Sequence, residues 1–202
     1  MTPFADAFPA GKLTESLIFT VVLLSAMNAI GRRHRTLFLA ALLVAPAIAT
    51  RWIDHFYPGL APRWLFLLAV AVFVSFVILH LLHFVMSSRN VTNEVLCAAV
   101  SIYLLFAVVW AFAYSLLASY HPHAFAFTVP AEAGSTLSGF NALYFSVQIL
   151  TALSFGDIIP VSNVARMMTL LQAVCAVFYV TILIARLVAL YSRAESAGDA
   201  GR

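Results

Sequence analysis

The chain has 202 residues, of which 63% are apolar and only 9% charged, and its mean hydropathy is +1.00. Soluble domains are about 45–50% apolar and about 25% charged, so this composition excludes an ordinary water-soluble protein and predicts a polytopic membrane protein. The eleven basic residues behind the net charge of +3 are scattered, and without a dense basic run we expect no nucleic-acid partner. Cys97 and Cys175 lie in apolar runs, which predicts neither a disulfide framework nor a zinc site.

Five apolar segments are long enough for a membrane-spanning helix, which needs about 20 residues to cross a hydrocarbon core of about 30 Å. They lie at about residues 13–30, 36–53, 64–86, 95–118 and 164–191. We expect the first segment to be a retained helix rather than a cleaved signal peptide, because the basic residues from Arg32 to Arg35 follow it directly.

The third segment carries two histidines but no arginine. His80 and His83 are three residues apart and therefore share a helix face. Because histidine titrates near neutral pH, a pH or metal sensor is one interpretation of this pair, and neutral histidines bonded to neighbouring helices are the other. A voltage sensor needs arginines repeated along a span, so we expect no strong intrinsic voltage dependence.

The segment from Ser138 to Gly156, between the last two spans, is apolar but short. Asn141, Gln148 and Ser154 interrupt it, and only seven residues, 157–163, separate it from the last span. A re-entrant half-helix followed by extended backbone fits this length better than a sixth crossing. Non-helical backbone is tolerated at membrane depth only where protein or a water-filled cavity surrounds it, so this segment predicts a pore or cavity.

Basic residues near the ends of the spans predict the orientation, since cytoplasmic loops carry an excess of Lys and Arg. With five crossings and a cytoplasmic C-terminus, six basic residues lie inside and four outside. The inside set is Arg32, Arg33, Arg35, Arg89, Arg193 and Arg202, and the outside set is Lys12, Arg51, Arg63 and Arg166. We therefore expect a multi-pass protein of the cell membrane with an extracytoplasmic N-terminus.

The most specific motif of the chain is the run at residues 144–160, which reads YFSVQILTALSFGDIIP. This run resembles the pore helix and selectivity filter of tetrameric potassium channels, which read approximately YFS-x-x-T-L-T-T-[IV]-G-[YF]-G-D-x-x-P. Aligned without a gap, the matching residues are Tyr144, Phe145, Ser146, Leu150, Thr151, Phe155, Gly156, Asp157 and Pro160. The likeness continues into the last span and covers roughly residues 92–191, including the outer helix.

The resemblance implies a homotetramer in which backbone carbonyls replace the hydration shell of a permeant cation. The expected fold is an all-α polytopic membrane protein with five transmembrane helices, a re-entrant pore helix and a filter loop. Its expected domains are an N-terminal three-helix region at 1–91, a pore domain at 92–191 and a short cytoplasmic tail at 192–202. Membrane lipids are expected partners.

The resemblance also assigns the residues of the ion path. The selectivity filter comprises Thr151, Ala152, Leu153, Ser154, Phe155, Gly156 and Asp157, with K⁺ or another monovalent cation, Na⁺ included, at the filter carbonyls. Residues of the last span predicted to line the inner pore and gate are Thr181, Ile184 and Val188. We expect no cofactor beyond the permeant cation and no enzymatic activity, because no catalytic constellation is apparent.

Two filter positions depart from the family pattern. Ala152 replaces the threonine whose hydroxyl helps to form the innermost ion site, and Ser154 replaces the first filter glycine. A non-glycine residue in left-handed geometry costs about 1–2 kcal/mol, so we expect a reshaped filter. Two functions stay open: a channel for K⁺ or monovalent cations, and a non-conducting or regulatory membrane subunit or sensor on the same scaffold.

Overall fold

The computed structural model describes residues 45, 48 and 49, 63–88, 91–129 and 136–199. Within the stretches from residue 63 onward, four helices and two short strands follow one another along the chain. These are α1 (Arg63–Ser87), α2 (Asn93–Tyr120), β1 (Phe125–Phe127), α3 (Phe140–Thr151), β2 (Ile158–Pro160) and α4 (Asn163–Asp199). The predicted spans at 13–30 and 36–53 lie outside the described residues, apart from residues 45, 48 and 49.

Three of the described helices are long and apolar enough to cross a membrane. Their apolar stretches are Trp64–Ser87, Asn93–Tyr120 and Asn163–Ser192, with mean hydropathies of 2.9, 2.5 and 2.4. They correspond to the spans predicted at 64–86, 95–118 and 164–191, although α4 continues past the predicted end to Asp199. The chain is therefore a mostly helical membrane protein.

Local side chains explain where α2 and α4 begin. The Thr92 hydroxyl accepts a hydrogen bond from the Val95 amide at 3.4 Å, and Glu94 lies in the first turn, where its negative charge is favourable. At the start of α4, the Ser162 hydroxyl accepts from the Ala165 amide at 3.1 Å. Each hydroxyl satisfies one of the amides that have no partner within a helix at its first turn.

A small antiparallel sheet corrects the all-α prediction. Strands β1 and β2 pair with Phe125 opposite Pro160, Ala126 opposite Ile159 and Phe127 opposite Ile158. The two strands contain three residues each, too few to give a recognisable alternation of apolar and polar residues in an apolar sequence. The sheet attaches the segment after α2 to the segment that follows the predicted filter.

An aromatic cluster places this sheet against the helices. Phe125 of β1 packs edge-to-face on Tyr114 of α2 and on Phe145 of α3, with ring centroids 5.7 and 5.5 Å apart. Tyr114 and Phe145 also pack edge-to-face on each other at 5.1 Å, an arrangement that aromatic pairs favour. All three rings are buried, so β1, α2 and α3 share one core.

Buried hydrogen bonds join α2, α3 and α4 just below this cluster. The Tyr114 hydroxyl donates to Gln172 Oε1 at 2.6 Å, and Gln172 Nε2 donates to both the carbonyl and the hydroxyl oxygen of Ser146 at 2.9 Å. The Ser146 hydroxyl in turn donates to the Ala107 carbonyl at 2.7 Å. Because these buried polar side chains satisfy one another, the network fixes α3 between the two long helices.

Arg186, in the second half of α4, is hydrogen-bonded to the end of α1. The Arg186 guanidinium donates to the backbone carbonyls of Met86 and Ser88, the latter at 3.0 Å. These carbonyls lie at the C-terminal end of α1, where helical carbonyls lack intrahelical partners and a positive charge is favourable. Arg186 therefore connects α4 to α1.

Candidate functional site

The site is built where α3 ends and the chain changes direction. The amides of Ala152 and Leu153 donate back to the carbonyls of Ile149 and Gln148, at 3.2 and 3.0 Å. Ala152 itself is left-handed, with φ 57° and ψ 27°. This pair of bonds with a left-handed residue after the helix is the usual way to close an α-helix, although glycine is the common residue there. The closure separates the twelve-residue α3 from residues 152–157.

Left-handed residues alternate along the segment after α3. Ala152, Ser154 and Gly156 have φ values of 57°, 37° and 76°, whereas φ is not positive at Leu153 or Phe155. Glycine takes a positive φ without steric cost, but the Cβ atoms of Ala152 and Ser154 make theirs unfavourable. Ser154 thus has the left-handed geometry that the sequence analysis expects at this position.

Side chains of α3 donate hydrogen bonds to the Asp157 carboxylate. Gln148 Nε2 donates to Asp157 Oδ1 at 3.1 Å, and the Ile158 amide donates to the same oxygen at 3.0 Å. The Tyr144 hydroxyl also donates to the carboxylate. Desolvation raises the pKa of Asp157, but these hydrogen bonds outweigh it, so that this pKa lies below its ordinary value. Asp157 is therefore the charged acceptor that closes the loop onto α3.

Gln148 holds a second point of the same segment. Its Oε1 accepts from the Phe155 amide at 3.3 Å while its Nε2 donates to Asp157. The Phe155 ring is parallel to that of Tyr144, with centroids 6.3 Å apart, and 66% of the side chain is exposed. The buried side-chain amide of Gln148 thus bridges Phe155 and Asp157. The Phe155 ring stacks on Tyr144 of α3, and a tyrosine at this position would add a hydroxyl group.

The outer side of the segment is held by Thr128, which follows β1. The Thr128 amide donates to the Asp157 carbonyl at 2.8 Å, continuing the β1–β2 pairing by one residue. The Thr128 hydroxyl lies 2.8 Å from the Gly156 carbonyl oxygen and 3.2 Å from that of Asp157. The backbone on either side of Gly156 is therefore fixed from both α3 and β1.

Tyr103 and Thr151 hold the C-terminal end of α3, where the segment begins. The Tyr103 hydroxyl of α2 donates to the Leu150 carbonyl at 2.9 Å, and the Thr151 hydroxyl donates to Val147 of its own helix at 2.8 Å. The three residues of α4 predicted to line the inner pore are all exposed in the single chain: Thr181, Ile184 and Val188. The Thr181 hydroxyl donates to the Val177 carbonyl one turn earlier.

The histidine pair of α1 lies away from this segment. His80 is half-buried and stacks on Phe76, with ring centroids 6.5 Å apart, and His83 is exposed. Across the described residues, no group of three or more His, Cys, Asp or Glu side chains is placed to hold a metal ion. A sensing role for His80 and His83 stays a prediction.

Sequence reasoning missed Thr128 as a residue of the site. Its signal is weak because it lies 28 residues before Gly156, in a stretch with no motif. Gln148 was visible only as a polar residue that interrupts an apolar segment. Its role needs the turn after α3, which brings Phe155 and Asp157 back beside the helix.

Comparison with known proteins agrees with this arrangement. Residues 94–193 match the model of a protein family described as an ion channel. This half of the chain is therefore an ion channel domain, and it is a potassium-channel-like pore domain. Searches of curated proteins and of solved structures gave no match.

Proposed function

We propose that the chain is one subunit of a homotetrameric channel that lets K⁺ or other monovalent cations move passively down their gradient. The ion path would be lined by backbone carbonyls from Ala152 to Phe155, with Gly156 and Asp157 at the outer mouth and the Thr151 carbonyl toward the inner cavity. The permeant cation is the only ligand, and the path is the site of transport rather than of catalysis.

The alternation of left-handed residues along 152–156 carries this proposal. In a regular extended strand successive carbonyls point to opposite sides, and left-handed residues at alternate positions turn the peptide planes so that neighbouring carbonyls can share one side. Rings of such carbonyls can replace the hydration shell of a cation. Two of the three left-handed positions lack glycine, so the sequence carries a backbone cost that packing alone gives no reason to keep.

Exposure of the same segment supports an assembly of several chains. Every residue from Thr151 to Gly156 is exposed, and between Asn163 and Ser192 of α4 the residues buried within the chain are Ala165, Gln172 and Ala176. Exposed non-helical backbone does not face lipid, because each unsatisfied polar group there costs several kcal/mol. Further copies would cover this backbone around a water-filled path, with four copies being the number that the potassium-channel likeness implies.

The end of α3 adds an electrostatic contribution. A helix carries about half a negative elementary charge at its C-terminus, and the last residue of α3 is Thr151. Four such ends directed at one cavity would favour a cation there. The Tyr103 bond to Leu150 and the closure at Ala152 hold this end in place.

The proposed membrane arrangement has five crossings, with α3 and residues 152–157 as a re-entrant loop between α2 and α4. The N-terminal three-helix region at 1–91 precedes the pore domain at 92–191, and residues 192–202 leave the membrane on the cytoplasmic side, with α4 reaching Asp199. The protein would lie in the cell membrane, in contact with lipid along α1 and the outer surface of α2.

Cation flux through purified protein in liposomes tests the proposal. Adding a K⁺ ionophore to liposomes that hold a K⁺ gradient gives the fraction of liposomes that are sealed. We expect liposomes with the protein to show a larger flux of K⁺, Rb⁺ or Na⁺ than empty liposomes. No cation flux at any pH or membrane voltage would refute a channel. It would instead favour the second candidate, a non-conducting subunit. This candidate is suggested by Ser154 and Ala152, which stand where the potassium-channel pattern has glycine and threonine.

Filter substitutions test the selectivity. We expect the double substitution Ser154→Gly and Ala152→Thr to raise the ratio of K⁺ to Na⁺ permeability, because it returns the flexible residue and the hydroxyl that the potassium-channel pattern has. Ser101→Ala is the control, since Ser101 is exposed on α2 and its hydroxyl donates to the Cys97 carbonyl of its own helix. An unchanged ratio in bilayer recordings would show that residues 152 and 154 do not set selectivity.

A further inference from the structure

Thr128 occupies an unusual position relative to the ion path. It belongs to the segment before α3, yet its hydroxyl lies 2.8 Å from the carbonyl oxygen of Gly156, the last glycine of the predicted filter. The donor is a side chain, and the acceptor is the next backbone oxygen outside the carbonyls of Ala152 to Phe155 that line the ion path under the proposed function. The bond therefore competes with a cation for the same oxygen.

The surrounding fold fixes Thr128 in this position. The pairing of Phe127 with Ile158 continues into the bond from the Thr128 amide to the Asp157 carbonyl, 2.8 Å long. The strand is in turn anchored by Phe125, which is buried between Tyr114 and Phe145. Since the backbone holds the residue independently of its hydroxyl, the side chain is free to act on Gly156.

We propose that the Thr128 hydroxyl ties the Gly156 carbonyl toward β1 and so removes it from the outermost cation-binding ring. This inference rests on the proposed function and names the residue that limits the outer end of its site. A proton donor at a carbonyl oxygen occupies one of its lone pairs and carries a partial positive charge that repels a nearby cation. The outermost cation site then has only the carbonyls that lie inward of Gly156.

The consequence is a lower affinity for monovalent cations at the outer mouth than four free Gly156 carbonyls would give. Removing the hydroxyl frees the oxygen while the backbone bond to Asp157 and the β1–β2 pairing remain. Thr128→Val does this with a side chain of the same shape, and valine is favoured at a strand end. Thr128→Ser retains the hydroxyl and is the matched control.

The test measures K⁺ binding to the purified full-length protein in nanodiscs by isothermal titration calorimetry, in a choline background. We expect Thr128→Val to bind K⁺ about three- to ten-fold more tightly than the original protein, as expected for one released hydrogen bond at the coordinating oxygen. Thr128→Ser should stay within about two-fold of the original affinity, and so should Thr136→Val, because the exposed Thr136 hydroxyl lies 3.5 Å from the Ser138 hydroxyl.

Each other outcome overturns the proposal. Unchanged or weaker binding by Thr128→Val, equal tightening by Thr128→Ser, or no K⁺ binding by either Thr128 variant would show that the hydroxyl does not withhold the Gly156 oxygen. Thr128→Ala serves as a second variant if valine prevents folding, which size-exclusion chromatography and circular dichroism would reveal. A ⁸⁶Rb⁺ flux assay separates the two ideas, because a protein without flux refutes the channel while the binding comparison still decides the role of Thr128.

Discussion

Ser154 offers a direct measure of the backbone strain in the segment that follows α3. Its φ of 37° lies in the left-handed region, where an L-residue with a Cβ atom costs about 1–2 kcal/mol relative to right-handed geometry. Ser154→Gly removes this cost but adds about 0.5–1 kcal/mol of unfolded-chain entropy. The difference gives a net gain of about 0–1.5 kcal/mol per chain, or about four times that for an assembly of four chains.

The assay is unfolding of the purified protein in mixed detergent and SDS micelles, followed by circular dichroism. Ser154→Ala is the matched control, because alanine retains the Cβ atom and therefore the strain while it removes the hydroxyl. We expect the glycine variant to have the higher free energy of unfolding of the two. If it is equally or less stable than the alanine variant, Ser154 is not strained in the folded protein, and the alternating left-handed residues no longer support the proposed carbonyl-lined path.

Three further predictions concern the contacts that hold the site. Gln172→Leu leaves the buried Tyr114 hydroxyl without its acceptor and should lower the free energy of unfolding by about 1–3 kcal/mol, whereas adding Tyr114→Phe should recover part of the loss in a double-mutant cycle; strict additivity would exclude the coupling. Arg186→Gln should lower thermal stability and speed amide exchange at the end of α1, and an unchanged exchange rate there would contradict the link. The pKa of Asp157 is lowered in the folded protein, so its contribution to stability is present above the ordinary carboxyl pKa and is lost as pH falls through the lowered value. Asp157→Asn should therefore flatten the dependence of stability on acid pH. Identical acid unfolding curves for the two proteins would refute a stabilising role of the Asp157 carboxylate.

The long apolar helices and the short helix before the filter could be predicted because their signals are local. Hydropathy locates α1, α2 and the start of α4, and the motif that begins at Tyr144 predicts a short helix where the structure has Phe140–Thr151; its role as a pore helix stays a prediction. The positive φ at Ser154 also follows from sequence, because the aligned family residue is glycine. These features depend on residue type over one or two helical turns.

The contacts that complete the site could not be predicted because they join residues distant in sequence. The hydroxyl of Thr128 meets Gly156 across 28 residues, and Arg186 meets Met86 across 100. A three-residue strand such as β1 is too short to show an alternation of apolar and polar residues. It forms because Phe125 packs against Tyr114 and Phe145. In the sequence, Gln148 is only a polar residue that interrupts an apolar segment. Its hydrogen bonds depend on the turn at Ala152, which brings the following residues back beside α3.

The acceptors of Arg186 have a consequence for how the two halves of the chain communicate. Two of them are the main-chain oxygens of Met86 and Ser88, and the third is the Met86 sulfur, 3.5 Å from Arg186 Nη1. Replacing the Met86 side chain removes the sulfur but leaves both oxygens, so a substitution scan along α1 would detect only part of the connection. Only a change at Arg186 or a displacement of the helix end can release it. Since hydrogen bonds weaken steeply once donor and acceptor separate by much more than about 3 Å, a shift of α1 by roughly one ångström already pulls on α4. A displacement of the end of α1 would thus reach α4 as a mechanical load.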